Sequence, residues 1–271
     1  LSAAAAVVNL STSTNAAATA ITVTGATAVT GATTTAFNDT VRTTSAILNN
    51  AGGATSASTL VGGNGTDTLI ISGGGTVVAA DLASVTQFEQ FTLAETTVTG
   101  GTTTAHSVTL SANNVATGAT FTVSASGVST VPVTISGAAV TDTTASLIIT
   151  GGSFATAAGD VLTGGDGNDS INGGAGNDSI VGGARNDTLI GGTGDDTIVA
   201  AGTDSIDGGD GNDVVQVAGS LGASSTDLAT IALGAGVNTI NFTNSAGTTA
   251  NATITATGGV YDIQLDSGVT G

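Results

Sequence analysis

Cysteine, methionine, tryptophan and lysine are absent from the 271 residues, proline and histidine occur once each, and aromatic residues make up only 3% of the chain. Without cysteine there is neither a disulfide framework nor thiol chemistry. Without lysine there is no Walker A loop, Schiff base or lysine general base, so the glycine runs are not phosphate cradles. The lone His106 has no second His or Cys nearby to complete a zinc site and reads as a surface or strand-edge side chain. Neither GxSxG nor HExxH occurs. The only glutamates, Glu89 and Glu95, read as strand polarity rather than as the carboxylate pair of a glycosidase. No apolar run is long enough to span a bilayer. The segment 1–10 lacks Met and a basic region and reads as a processed or excised N-terminus rather than an intact signal peptide.

What is present is equally skewed. There are 42 glycines, and Ala and Thr dominate much of the rest, so the core must be built from small and β-branched side chains. Such a composition suits thin, repetitive β structure. Twenty acidic residues against two arginines, Arg42 and Arg185, give a net charge of −18, which makes nucleic acid and anionic membrane poor partners. An acidic, lysine- and cysteine-free chain leans toward a secreted bacterial protein. The carboxylates crowd between Asp160 and Asp213, where they repel one another unless cations intervene.

That crowding is periodic. From Gly164 the chain reads GGDGNDSIN, GGAGNDSIV, GGARNDTLI, GGTGDDTIV, a shortened AAGTDSID, and GGDGNDVVQ. An aspartate holds the sixth position (Asp169, Asp178, Asp187, Asp196, Asp204, Asp213), and a branched aliphatic follows two residues later (Ile171, Ile180, Leu189, Ile198, Ile206, Val215). Upstream, residues 155–163 are in phase, with Asp160 and Leu162 in the same places, and a separate copy, GGNGTDTLI, runs from Gly62 to Ile70 with Asp67 in sixth position. The glycines permit positive φ and expose successive carbonyls in a tight turn, to which the aspartate adds a carboxylate. The other half of the unit is a short strand with its aliphatic pointing inward. One unit buries almost nothing, whereas stacked units bury a continuous aliphatic column and align acidic turns along its edges. A hard cation with six to eight oxygen ligands relieves that repulsion, and Ca²⁺ suits a flexible carbonyl-plus-carboxylate site better than Mg²⁺.

These units resemble the repeats-in-toxin (RTX) nonapeptide, which is known as a calcium-binding β-helix repeat. The resemblance implies an all-β, right-handed parallel β-roll, two nonapeptides to a coil, with ions held between same-side turns of alternate repeats. Asp160 would then pair with Asp178, Asp169 with Asp187, Asp178 with Asp196, Asp187 with Asp204, and Asp196 with Asp213, holding about four or five Ca²⁺ ions. The expected metal-site residues are these aspartates, Asp67, Asp166 and the turn glycines Gly164, Gly165, Gly167, Gly173, Gly174, Gly176, Gly182, Gly183, Gly191, Gly192, Gly194, Gly208, Gly209 and Gly211. Asp166, Asp195 and Asp210 stand at other turn positions, where they add to the local field more than to ligand bonds. Two departures weaken the pattern. Arg185 stands in a glycine position, and Ala200 and Ala201 replace the glycine pair of the shortened unit.

Outside the repeats the strand pattern continues. SVTLSA, ATFTVSAS, VPVTISGA and ASLIITGG recur every 12 or 13 residues, marked by Leu110, Val123, Ile135 and Ile148, a spacing that suits either a parallel solenoid or an antiparallel sandwich. VTQFEQFTL, with Phe88 and Phe91 around Glu89, resembles a strand motif of bacterial surface-layer proteins. Residues 36–50 read as a short helix carrying Phe37, Val41, Ile47 and Leu48. Four segments result: 1–52 with strands and a short helix, 53–154 as a solenoid or sandwich with the separate repeat, 155–216 as the calcium roll, and 217–271 as further strands. The resemblance implies a secreted, non-enzymatic surface-layer, matrix or filament subunit. It would leave the cell unfolded by type I secretion, fold on binding calcium, and associate with copies of itself, with cell-surface polysaccharide as a candidate anchor. The other readings are the calcium-binding tail of a secreted enzyme or toxin, and an adhesin segment. For the ice-binding adhesin type Asn168, Asn177 and Asn186 supply part of an outward ladder, while Thr193 stands alone in its column.

Overall fold

Short β-branched segments separated by glycine-rich turns leave the chain one economical way to satisfy its backbone, which is to stack each strand on the strand one coil earlier. The computed structural model describes residues 7–9, 22–24, 38, 40–48, 59–63, 65–95, 104–153, 158–201, 204–218, 229–243, 252–256 and 260–265. Within them every strand pairing is parallel. An 11-stranded sheet runs through Val7–Asn9, Thr40–Thr44, Thr68–Ser72, Gln90–Ala94, Thr120–Ser124, Ser146–Thr150, Ser170–Ala175, Thr188–Thr193, Ser205–Asp210, Ala229–Leu233 and Ala252–Ala256. A 9-stranded sheet runs through Gly75–Val77, His106–Thr109, Val133–Ser136, Val161–Thr163, Ser179–Val181, Thr197–Ala201, Val214–Ala218, Val237–Thr243 and Val260–Leu265. A third sheet of 3 strands joins Thr22–Thr24, Thr59–Val61 and Val85–Thr86. From Thr120 onward the chain alternates between the two large sheets, so one coil is two strands and two turns.

The core is two columns of apolar side chains in register, one from each large sheet, all aliphatic except Phe91. On the first, Leu69, Phe91, Val123, Ile149, Ile171, Leu189, Ile206 and Ile231 stack in succession. On the second the order is Val77, Val108, Ile135, Leu162, Ile180, Ile198, Val215 and Ile240. All sixteen are buried. Each full burial of such a side chain stabilises by roughly 1.5–3 kcal/mol, which a single nonapeptide could not obtain alone. Where the chain has an aromatic to spend, it widens the core: Phe91 and Phe121 meet edge to face with centroids 4.8 Å apart.

Parallel pairing throughout removes the sandwich alternative, and the eighth-position aliphatics of the repeats line up with flanking residues on both sides. Val123 pairs with Ile149 one coil later, so the spacing of 12 or 13 residues is one strand and not one coil. Three expectations are corrected. Ile148, which marks its segment in the recurrence of 12 or 13 residues alongside the buried Leu110, Val123 and Ile135, is 40% exposed, and Leu147 and Ile149 face the core instead. In ASLIITGG three consecutive apolar residues left the phase of the alternation undetermined, and pairing with Ser170–Ala175 set it. The helix read over residues 36–50 is largely a strand, Thr40–Thr44, followed by a single turn, Ser45–Leu48; the ends of that range, including Phe37, lie outside the described residues. Val41 and Thr43 are buried and Arg42 is exposed, a period of two that pairs with Thr68–Ser72. His106 is buried at the start of its strand, with its pKa lowered by burial despite the opposing pull of Glu95.

Candidate metal centre

Each sixth-position aspartate sits at the last turn residue before a strand, because the aliphatic two residues on must enter the core while the intervening residue, Ser or Thr in five units and Val161 or Val214 in the other two, lies on the opposite face. This puts the carboxylates in two columns. Asp160, Asp178, Asp196 and Asp213 precede strands of the 9-stranded sheet, while Asp169, Asp187 and Asp204 precede strands of the 11-stranded one. All seven are buried. The main-chain N–H of five of them donates to Oδ1 of the aspartate one coil later: Asp160 to Asp178 (2.6 Å), Asp169 to Asp187 (2.8 Å), Asp178 to Asp196 (2.7 Å), Asp187 to Asp204 (2.9 Å) and Asp196 to Asp213 (3.0 Å). The five pairs expected from the repeat are therefore adjacent rungs of two ladders. The deletion in the shortened unit reduces two rungs, Asp187–Asp204 and Asp196–Asp213, to 17 residues from the usual 18 without breaking either.

The second carboxylate oxygen divides the set. Oδ2 of Asp160 and of Asp169 accepts from the N–H of Gly152 and of Gly165 respectively. Oδ2 of Asp178, Asp187, Asp196 and Asp213 is buried with no hydrogen-bond partner. A buried carboxylate oxygen left without a donor is costly, so four in one stretch mark a position for a cation. Burial pushes the pKa of Asp178 up to about 6 and of Asp187 and Asp196 up to about 7, with mutual repulsion along the columns adding to it. Asp160, Asp169 and Asp213 shift in the same direction, also through burial.

The glycines explain how these oxygens are housed. A Cβ on Gly173 would stand 2.2 Å from Asp178 Oδ2, and the first glycines Gly164, Gly182, Gly191 and Gly208 stand in the same relation to their own aspartates. At the second position Gly192, with φ +118°, would bring a Cβ to 2.1 Å from the Gly174 carbonyl of the previous coil. Gly165, Gly174, Gly183 and Gly209 crowd a carbonyl in the same way, as do the fourth-position Gly167, Gly194 and Gly211. Gly176 also has positive φ. The turns are thus lined with stacked carbonyl oxygens and carboxylates, which is the hard, oxygen-only donor set that suits Ca²⁺. Among the described residues no group of three or more His, Cys, Asp or Glu side chains converges, so the main chain must supply most of any coordination shell.

Of the turn positions outside the sixth, Asp195 and Asp210 are exposed and Asp166 is half-buried. Asp195 belongs to an outer ladder at the fifth position: its N–H donates to Asn177 Oδ1 (2.9 Å), and its own Oδ1 accepts from the N–H of Asn212 (2.7 Å). Asn168 likewise accepts from the Asn186 N–H. These asparagines tie coils together, a role visible only once the coils are stacked. Arg185 takes φ +73°, the left-handed conformation that its glycine position demands. Asp67 is buried in the same place relative to Leu69 as Asp187 is to Leu189, and its N–H donates to Glu89 Oε2 at 2.6 Å. Glu89 thereby takes the place that the next coil's aspartate holds in the repeats, and burial raises its pKa. A glutamate in a segment without glycines gave no sign of this in the sequence. Glu95 instead accepts from the N–H groups of Ser129 and Thr130.

Residues 154–184 and 181–215 match the RTX calcium-binding nonapeptide repeat, in 4 copies. No curated protein and no solved structure matches the chain. The matched residues are RTX repeats of the kind that binds Ca²⁺, and the orphaned oxygens and carbonyl-lined turns described above fall within them.

Proposed function

We propose, taking the RTX repeats of residues 154–215 as the premise, that this chain is a calcium-dependent extracellular structural protein, a subunit of a surface layer, matrix or filament that folds on meeting calcium after secretion. The observation that carries the reading is the row of four buried, partnerless oxygens on Asp178, Asp187, Asp196 and Asp213, set among glycine turns that a Cβ would fill. Asp160, Asp169, Asp178, Asp187, Asp196, Asp204 and Asp213, with the carbonyls of their turns, would hold about four or five Ca²⁺ ions. A bound ion neutralises the carboxylates and ties one coil to the next. The chain's own part is to align the carboxylates through the N–H ladder and to keep water from them by burial. In calcium-poor surroundings the carboxylates repel, which favours the unfolded chain; in calcium-rich surroundings binding free energy becomes folding free energy.

A structural role, in preference to the calcium-binding tail of an enzyme, is supported by the continuity of both large sheets. The strands before and after the repeats pair with them in the same parallel register and prolong the same aliphatic columns. The repeats are coils inside one solenoid, with no separate body appended to them among the described residues. Electron microscopy of the purified chain with calcium and with a chelator tests the assembly. Sheets or fibres are expected in calcium only. Dispersed single particles in both conditions would overturn it, and an adhesin or a detached module would then be the better account.

A further inference from the structure

The carboxylate column on the 9-stranded sheet ends abruptly. In register it reads Asp160, Asp178, Asp196, Asp213, then Asn238 and Tyr261. The segment around Asn238, Leu233-Gly234-Ala235-Gly236-Val237-Asn238-Thr239-Ile240-Asn241, lies beyond the RTX match, yet its backbone repeats the nonapeptide turn. A Cβ on Gly234 or Gly236 would stand 1.9 Å from the carbonyl of Gly209 or Gly211, as Gly209 and Gly211 stand to Gly192 and Gly194. Ile240 joins the aliphatic column on Val215. Two positions differ from a calcium turn. Leu233, fully buried, replaces the first glycine, and Asn238, also fully buried, replaces the aspartate.

These two changes fit one another. In the repeats the missing Cβ of the first glycine leaves the space in which Oδ2 stands, as with Gly208 and Asp213 at 2.5 Å. Leu233 has a side chain at that point, so a carboxylate there would be crowded. Asn238 keeps the ladder bond, its Oδ1 accepting from the Asp213 N–H at 2.7 Å, but carries no charge, and its Nδ2 faces the Gly234 carbonyl at 3.4 Å. The hydroxyl of Tyr261 reaches the same turn, 3.0 Å from the Leu233 carbonyl and 3.4 Å from that of Gly234. Oxygens that would face an ion in the preceding turns face protein donors here.

We propose that Leu233, Asn238 and Tyr261 form an ion-free stop: a calcium-type turn in which an amide and a phenol supply the donors, ending the ion ladder at the Asp196–Asp213 rung while the solenoid continues. The stop lets a neutral coil stack on a charged one without leaving a half-built site at the junction. It rests on the calcium reading above.

The test counts bound Ca²⁺ on the full chain by titration calorimetry and reads thermal unfolding with calcium and with chelator. Asn238→Ala is expected to bind as many ions as the unaltered chain and to lose stability equally in both conditions. Leu233→Gly with Asn238→Asp is expected to bind one ion more. Loss of an ion in Asn238→Ala would make Asn238 a ligand and overturn the stop, as would a folded double variant with an unchanged count. Should the double variant not fold, the count for Asn238→Ala decides alone. An unaltered chain that binds no calcium would instead overturn the reading on which the stop depends.

Discussion

Asp196→Asn should stabilise the ion-free chain and destabilise the calcium-loaded one. Asp196 sits in the middle of its column, Oδ1 accepting from the Asp178 N–H and Oδ2 buried without a donor. Burial raises its pKa from 3.8 to about 7, which corresponds to roughly 4 kcal/mol against the charged, ion-free fold above pH 7. An amide removes that charge and keeps the acceptor for Asp178. Its buried NH₂ lacks an assured partner, which costs about 1–3 kcal/mol, so a net gain of about 1–3 kcal/mol remains. With calcium the sign reverses. Asp196 belongs to two rungs, with Asp178 and with Asp213, and each site lost at a calcium concentration one hundred times its Kd removes about 2.7 kcal/mol. The pH dependence follows from the raised pKa. The penalty on the ion-free fold is complete above pH 7 and shrinks as pH falls toward the ordinary carboxylate range, because the folded state takes up the proton first. Urea unfolding of the full chain, followed by circular dichroism in chelator and in calcium between pH 5 and 8, measures all of this. A substitution effect of the same sign in both conditions would refute the account of Oδ2 as a cation ligand, and so would a gain in chelator that grows as pH falls.

Arg185→Gly should tighten calcium binding, since a non-glycine residue at φ +73° costs about 1–2 kcal/mol and glycine relieves it; calorimetry showing equal or weaker binding would remove strain as the explanation. The register of the strand Ser146–Thr150 predicts opposite outcomes for neighbours. Ile149→Thr, which buries a hydroxyl in the aliphatic column, should lower stability by about 2–4 kcal/mol, whereas Ile148→Thr, on the 40% exposed face, should change it by less than about 0.5 kcal/mol. Similar losses at both positions in thermal unfolding would mean that the strand is misregistered.

Much of the candidate metal centre was legible because its physics is local. A nine-residue unit must place glycine where the backbone turns and aspartate where the turn meets the strand, so the phase of Asp169, Asp178, Asp187, Asp196, Asp204 and Asp213 survives in the sequence. The partner of each follows from the resemblance to the RTX repeat, which implies a coil of two units. The less regular participants were hidden. Glu89 stands at the end of the Asp67 ladder in a stretch with no glycine pair, and Leu233–Asn241 lacks both the first glycine and the aspartate by which a repeat is recognised. Sequence periodicity finds only those positions that every copy needs.

The sequence by itself determined the chemistry of this protein: an all-β chain of small residues, oxygen donors in a strict phase, no thiol or lysine and a single histidine, and one branched aliphatic at the eighth position of each repeat. Only the tertiary structure decided which way flanking strands run, which of Ile148 and Ile149 faces inward, which carboxylate oxygens lack donors, and where the carboxylate column gives way to Asn238 and Tyr261. The reason is that a strand of alternating residues has two equivalent faces until another strand lies beside it. A carboxylate likewise has two equivalent oxygens until the coil before it supplies one N–H and no more.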